Sequence, residues 1–526
     1  MKVSVGLIPA MVLAVIGGIF PSGKAECQSF STSFNVRLTG AAGDGMHDDT
    51  VAINATIRAC SRAGGGTVVV PGGKYLTGTI HMSSNCTLHL DAGAILLGKP
   101  DRSGYDPAET LKFKNAADQE TSFFNHALIQ CEGLTHASIS GDGEIDANFT
   151  KRHGPKPIAA RNCNFFSVKG ITIRNAPNYN ISMLGCNHVT IDGVTILNGY
   201  ADGIDPDSCS NVSISNCHIE SRDDAIVLKS SFSLGVHRPC ENVTVTNCYL
   251  GTTCYCFKLG TESGSDFRQI SVSNCVMGGF PQAGPASGGV ALESVDGANI
   301  SGVTVSNLAM DGVRSPFYMR LGNRGRDLSP AVPGSLAHVA ISNIVARNAS
   351  LVCTLAGIPG SMIEDVRLSH IQISYSGAGM LRKLEIPVPE SIADYPDDDM
   401  FGPLPSDGLY LRHLRNVRMD HIDITTTPNL YRLAVPDDRK VDWNQKPPSN
   451  TLPSGKSVMI YCQDVANTVF EVVPIWSTTD GQPSVVLDAC GIVEFIDCAP
   501  DGNLTKSVLL KGTKQSDLRI YGHKVS

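Results

Sequence analysis

Val212-Ser-Ile-Ser-Asn-Cys217 is the stretch on which the fold turns. Val212 and Ile214 alternate with Ser213 and Ser215, the two-residue period of a strand with one apolar face. A turn-forming Asn and a small Cys follow. Working outward in both directions, the same unit recurs as Val168-Lys-Gly170-Ile, Val189-Thr-Ile-Asp-Gly193-Val, Val243-Thr-Val-Thr-Asn247-Cys and Ile270-Ser-Val-Ser-Asn274-Cys. It continues as Val303-Thr-Val-Ser-Asn307-Leu, Val339-Ala-Ile-Ser-Asn343-Ile, Val366-Arg-Leu-Ser-His370-Ile and Val417-Arg-Met-Asp-His421-Ile. From Gly170 the turn positions step by 23, 23, 31, 27, 33 and 36 residues. A constant strand with variable spacing means that insertions are confined to loops. No such strand can bury its apolar face alone, whereas stacking them makes a continuous core. The pattern predicts a parallel β-helix, with the Asn series as a ladder of turn residues bonding rung to rung.

The chain has 526 residues, 42% hydrophobic and 17% charged, with 52 Gly. Its net charge is −8, and no basic run interleaved with aromatics occurs, so a nucleic-acid partner is not expected. Any grip on an acidic polymer must be local. Lys2, the apolar run Val3 to Phe20 and Gly23-Lys-Ala25 read as a secretory signal over residues 1–25. That predicts a secreted monomer, with residues 26–526 as one β-helical domain and about 458–526 its C-terminal end. No other segment is apolar enough to span a bilayer, so no stable membrane insertion is expected after cleavage. The 17 cysteines are odd in number. Cys217, Cys248 and Cys275 all close an S/T-N-C unit, which predicts an inward stack of thiols rather than a disulfide framework. Nine N-x-S/T triplets, Asn211, Asn242 and Asn299 among them, read as turn-plus-strand chemistry.

Near the start, Asn35 to Gly40 reads as a strand and Ala41 to Asp49 as a Gly/Asp turn cluster. Asp48, Asp49 or Thr50 is placed to cap a helix over Val51 to Ala63, which Gly64-Gly-Gly66 stops. Two segments break the later rhythm: Ser376 to Asp407, which contains Tyr395-Pro-Asp-Asp-Asp399, and Val435 to Lys456. Both read as long loops beside a cleft.

The chemistry concentrates in Asn198 to Ser230, NGYADGIDPDSCSNVSISNCHIESRDDAIVLKS. Asp202 lies 21 positions before Asp223 and 22 before Asp224, about one winding of the repeat. With rungs about 4.7–4.9 Å apart, side chains from adjacent rungs can hold carboxyl groups roughly 5–9 Å apart, the range at which paired carboxylates hydrolyse glycosidic bonds. Consecutive strand residues face opposite ways, so Asp223 and Asp224 can share a site only at a bend. Asp205 and Asp207 read as turn residues. Lys229 is placed to pair with a carboxylate or to touch substrate.

DGIDPDSC (Asp202 to Cys209), a strand, then DDAIVLKS (Asp223 to Ser230) and Leu259-Gly-Thr-Glu-Ser263 resemble the active-site run of the polygalacturonase family, glycoside hydrolase family 28. The resemblance implies an all-β fold: a single right-handed parallel β-helix (solenoid) with a short N-terminal capping helix. It implies inverting hydrolysis of a pectin-like polysaccharide or oligosaccharide, with Asp223 as acid and Asp202 and Asp224 activating water. It implies no cofactor and no metal, and Cys254-Tyr-Cys256 alone is too weak to specify a metal site. Three departures mark the binding shell. The family's Gly-His-Gly is replaced by Cys254-Tyr255-Cys256, its carboxylate-binding Arg-Ile-Lys by Ala291-Leu-Glu293, and the Asn of its NTD by Tyr200. Tyr255 can donate a hydrogen bond where the histidine is missing. Arg320, in a run that also holds Arg314 and Arg324, is a candidate replacement cation, and Glu262 and Glu293 are candidate cleft carboxylates. Two alternatives stay open: a carbohydrate-binding β-helix without turnover, and a polysaccharide lyase. The sugar, its linkage, and exo versus endo action are open as well.

Overall fold

The computed structural model describes residues 32–101, 103–280, 283–376, 384–426, 458–475, 483–499 and 504–522. The expected leader, 1–25, and the expected loop from Val435 to Lys456 lie outside the described residues. The described chain is a right-handed parallel β-helix. Every named strand belongs to one continuous ladder, from Ser33–Asn35 to Leu518–Tyr521, and each pairs with the strand one winding away. The repeat units fall in register: Val189 opposite Val212, Val212 opposite Val243, then Ile270, Val303, Val339 and Val366 in succession. Their side chains are all buried and form one file of the core.

The turn ladder has a plain cause. Asn216, Asn247, Asn274, Asn307 and Asn343 all have φ between 55° and 57°, the left-handed region that Asn tolerates better than most residues. Their amides bond along the axis: Asn307 donates to Asn274 at 3.0 Å and Asn343 to Asn307 at 3.2 Å. The sequon residues Asn211 and Asn242 sit in a parallel file, Asn242 donating to Asn211 at 3.1 Å. The sixteen cysteines among the described residues form no disulfide, and Cys217, Cys248 and Cys275 are buried in the stack.

The helix Thr50–Arg62 covers the N-terminal end of the solenoid with Ile53, Ile57 and Cys60 buried. Asn54 fastens it to the first windings, donating to the Thr79 carbonyl and accepting from the His81 amide. Asp49 occupies the N-cap position without capping by its side chain. Its carboxylate instead accepts from the amides of Ala42 and Gly43, folding the preceding turn back. Among the described residues no helix is long and apolar enough to cross a membrane.

One sheet of the solenoid positions the site. It runs through the strands Ala127–Glu132, Lys156–Arg161, Ile181–Leu184, Ile204–Asp207, Ile226–Ser230, Tyr255–Ser263, Ala286–Ser294 and Val313–Leu321, then on through Cys353–Ala356 and Leu409–Arg415. Its inward residues join the core. Its outward face is roofed at both ends by long inserts, 103–126 over the early rungs and 384–407 over the late ones.

Candidate active site

Ile204 pairs with Ile226, and Ile226 with Phe257. Asp202 and Asp224 each stand two residues before those partners and so occupy equivalent places on successive rungs. The Gly203 amide donates to the Asp224 carbonyl at 2.9 Å. Gly203 is needed for that approach, because a Cβ there would lie 2.4 Å from the Ala225 carbonyl oxygen. The bend that two adjacent aspartates require is present. Asp223 and Asp224 lie between the strands His218–Ser221 and Ile226–Ser230, outside either ladder. Ser221 Oγ and Thr252 Oγ1 both donate to the Asp223 carbonyl and hold the bend. An oxygen of each carboxylate and the Cys254 sulfur come within 4.8 Å of one another. Three such donors could take one cation, but Arg152 and Lys258 already neutralise the two carboxylates, and the cluster carries no metal assignment.

Each acid has a different electrical setting. Asp202 is buried, which drives its pKa well above the usual carboxylate range; Lys229 opposes this, and Asp205, Asp223 and Asp224 add to it. Burial likewise raises Asp224, to about 6, against the pull of Lys258 and with a push from Asp223. Its Oδ1 accepts from the Tyr255 amide at 3.0 Å. Burial also acts on Asp223, but Arg152 and Lys258 outweigh it and hold Asp223 below its usual value. Arg152 Nη1 donates to Asp223 Oδ2 at 2.5 Å, while its other nitrogens bond Glu120. Asp223 is the most accessible of the three, its side chain 21% exposed against 4% for Asp202 and 7% for Asp224.

Lys229 is buried between Asp202, at 2.8 Å, and Asp205, at 2.5 Å, over the face of Tyr179. It organises the aspartates and has no free direction toward a ligand. Asp205 and Asp207, read above as turn residues, lie within the strand Ile204–Asp207 and are buried. A strand there lets Asp205 face Lys229, while Asp207 accepts from Ser231.

The remaining candidates divide. Glu262 is near the group and pairs with Arg326 at 3.1 Å. Glu293 is fully buried with neither oxygen hydrogen-bonded, 3.8 Å from Lys258. Burial lifts it to about 8, Lys258 only partly offsetting this. Tyr255 points its hydroxyl at the insert, bonding the Asp397 carboxylate and accepting from the Asp398 amide, each at 2.8 Å. A buried phenol satisfied in this way fastens a loop rather than replacing the histidine. Arg320 is buried too. It donates to the carbonyls of Gly357, Glu390 and Ser391, so its charge holds the insert and is not offered to a substrate.

Three residues of the site escaped the sequence reading. Lys258 bridges Asp224, at 3.3 Å, and Glu293; its signal was a lone cation in the otherwise apolar run Cys256-Phe-Lys-Leu259. Burial works against its charge, but Asp224 and Glu293 hold its pKa well above the usual value. Arg152 comes from a loop 71 residues before Asp223, with no local pattern to betray it. The ring of Tyr395, 54% exposed on the insert, lies beside Arg324, whose guanidinium carbon is 5.7 Å from the ring centroid.

The family model for glycosyl hydrolases family 28 matches residues 60–389. A probable polygalacturonase from Vitis vinifera is 25% identical over 367 residues, 64% of this chain and 72% of that protein. An exopolygalacturonase from Platanus acerifolia is 27% identical over 382 residues, 67% of this chain and 93% of that protein. Among solved structures, a hyperthermoactive exopolygalacturonase from Thermotoga maritima superposes with a TM-score of 0.59 at 19% identity, covering 75% of this chain and 91% of that one.

Proposed function

The chain belongs to glycosyl hydrolases family 28 and is a polygalacturonase-like glycoside hydrolase; from that premise we propose that it is exported and cleaves a pectin-type polysaccharide with inversion, using Asp202, Asp223 and Asp224. The observation that carries this is the trio itself: two carboxylates on successive rungs and a third, more exposed one brought beside them by a bend. Inversion needs one carboxyl to protonate the leaving glycosidic oxygen. It needs another to take a proton from the water that attacks the anomeric carbon from the opposite face. Asp223, the outermost, is assigned the proton donor. Asp202 and Asp224, deeper and on the same line, are assigned the water.

The resting charge state sets a condition on these roles. While Arg152 stays on Asp223, that carboxyl is ionised and cannot donate. Arg152 already gives its remaining bonds to Glu120. A substrate that moves it fully onto Glu120 leaves Asp223 beside ionised Asp224, where like-charge repulsion favours its protonated form.

We read the binding shell as altered. The cations nearest the acids are all engaged: Lys229 by two aspartates, Lys258 by Asp224 and Glu293, Arg152 by Glu120 and Asp223. The place of the family's Arg-Ile-Lys holds Ala291-Leu-Glu293, and Lys258 on the neighbouring rung is the ammonium beside it. A reducing-sugar screen over polygalacturonan, rhamnogalacturonan and neutral glycans, with proton NMR of the first product anomer, tests the reading. Release of the inverted anomer, lost in Asp223→Asn, is expected. A retained anomer, or an unsaturated product absorbing in the ultraviolet, would overturn it.

A further inference from the structure

We propose, resting on the hydrolase reading above, that this enzyme attacks chain ends and not chain interiors, because two inserts turn the acid trio's surroundings into a walled pit. The first insert, 103–126, leaves the edge of the sheet that precedes the strands and crosses to the opposite edge. Phe113 meets Phe232 edge to face, with ring centroids 5.6 Å apart, and Asn115 donates to Ser233. The Ala116 amide is clasped by the Asp327 carboxylate at 2.9 and 3.1 Å. On its return Phe124 lies over Lys156 and packs with Ala159 and Leu184, roofing the rungs before Asp202. Glu109 fixes the crossing through Arg161 at 2.5 Å.

The second insert, 384–407, crosses the other way, over the rungs from Ala291 onward and with its near side on Tyr255. Val388, Phe401 and Leu404 pack on Ala356, Tyr410 and Tyr461 of the sheet face. Arg320 and Arg412 grip its backbone from below, and at the far edge the Asn323 amide donates to the Ile392 carbonyl at 2.7 Å. Tyr255 and Tyr318 hold Asp397 and Met400 at its near side.

Between the crossings remain the rungs from Ile204–Asp207 to Tyr255–Ser263, roughly 10 Å along the axis at the usual strand spacing, with Asp397, Asp398 and Met400 of the second insert overhanging Tyr255 and Ala291. The two remaining sides are walled by ion pairs: Arg152 with Glu120 on the edge before the strands, and Arg324 with Asp296 and Arg326 with Glu262 on the edge after them. The groups partly open to solvent form a rim of Asp223, Arg152, Arg326 and Tyr395. A polysaccharide cut internally must enter and leave past the acids. A pit with a single mouth admits a terminus. Tyr395, an exposed ring on a pinned insert, supplies an apolar face against which a terminal sugar ring can lie.

The experiment follows polygalacturonan digestion by the full chain, comparing viscosity with reducing ends and sizing products from the earliest time points. One short product from the start, with viscosity nearly unchanged while reducing ends accumulate, is the expected result. An early ladder of oligosaccharides with rapid viscosity loss overturns this inference alone. No new reducing ends on any glycan in the screen overturns the hydrolase reading and this inference with it. Replacing Phe113–Ala117 by two glycines opens the first crossing and is expected to bring longer products. Asp327→Ala, which cuts only the clasp, is expected to do the same more weakly and serves if the larger change does not fold. A product profile identical in a folded variant with the crossing opened overturns the role given to the insert.

Discussion

Asp202 and Asp224 stand at equivalent places on successive rungs, joined through the Gly203 amide, which donates to the Asp224 carbonyl at 2.9 Å. Their spacing is therefore a property of the ladder and not of flexible side chains. Gly203→Ala puts a methyl group 2.4 Å from the Ala225 carbonyl oxygen and must push the rungs apart. A loss of about 1–3 kcal/mol of stability is expected from such overpacking. We also expect kcat to fall more than KM rises, because the separation of two carboxylates changes before the outer cleft does. Steady-state kinetics with thermal unfolding check both. Wild-type kcat in a destabilised variant would remove the geometric argument.

Asp202→Asn, Asp223→Asn and Asp224→Asn should each lower kcat by about 10²–10⁴, the usual contribution of a positioned acid or base. Relieving mutual repulsion among buried carboxylates should leave Tm unchanged or higher for Asp202→Asn. Full activity in any one of the three takes that residue out of the mechanism.

The pH profile separates the roles. Asp224 must be ionised to activate water, so activity should rise through about pH 6. Lys258 pulls that value down, so Lys258→Met should move the acid limb upward. Arg152 holds Asp223 below its ordinary value. If Asp223 donates the proton, Arg152→Ala raises its pKa and carries the alkaline limb to higher pH. An alkaline limb unmoved by that substitution assigns the proton to another group.

Glu293 predicts a pH-dependent stability. Its carboxyl is lifted from 4.5 to about 8 in the folded chain. Its contribution is therefore complete below its unfolded value and is lost as pH rises through 8. Glu293→Gln removes that loss. The variant should gain on the parent as pH rises from 4 to 8, by on the order of 4 kcal/mol if the whole shift is realised. Unfolding of both proteins at several pH values measures the difference, and a gap independent of pH contradicts a neutral Glu293.

Tyr255→Phe should cost about 1–3 kcal/mol, since it removes the phenol's bonds to the Asp397 carboxylate and to the Asp398 amide, which keeps only its bond to Asp397. Limited proteolysis should then find new cuts near 395–400. If the cleft instead used this phenol in place of a histidine, the substitution would lower kcat without loosening the insert.

The repeat was legible because burial on one face imposes period two, and a left-handed turn selects Asn; both are local. Val212, Ile214 and Asn216 carry that information within five residues. The acid trio was legible as a spacing, since one winding converts 21 or 22 positions into a single rung. Asp205 was misread because DPDS has turn composition, while the ladder partner and the Lys229 ammonium pull it into a strand.

The amino-acid order by itself determined the solenoid, its end-capping helix and which aspartates could meet, because each rests on contacts repeated at a regular interval. Only the folded chain decided what surrounds them. Arg152 reaches Asp223 from a loop, Tyr395 stands beside Arg324 on an insert, and Arg320 is spent on carbonyls 36 to 71 residues away. A loop that crosses a sheet is held by a few distant polar bonds whose partners share no period, and no spacing along the chain announces them.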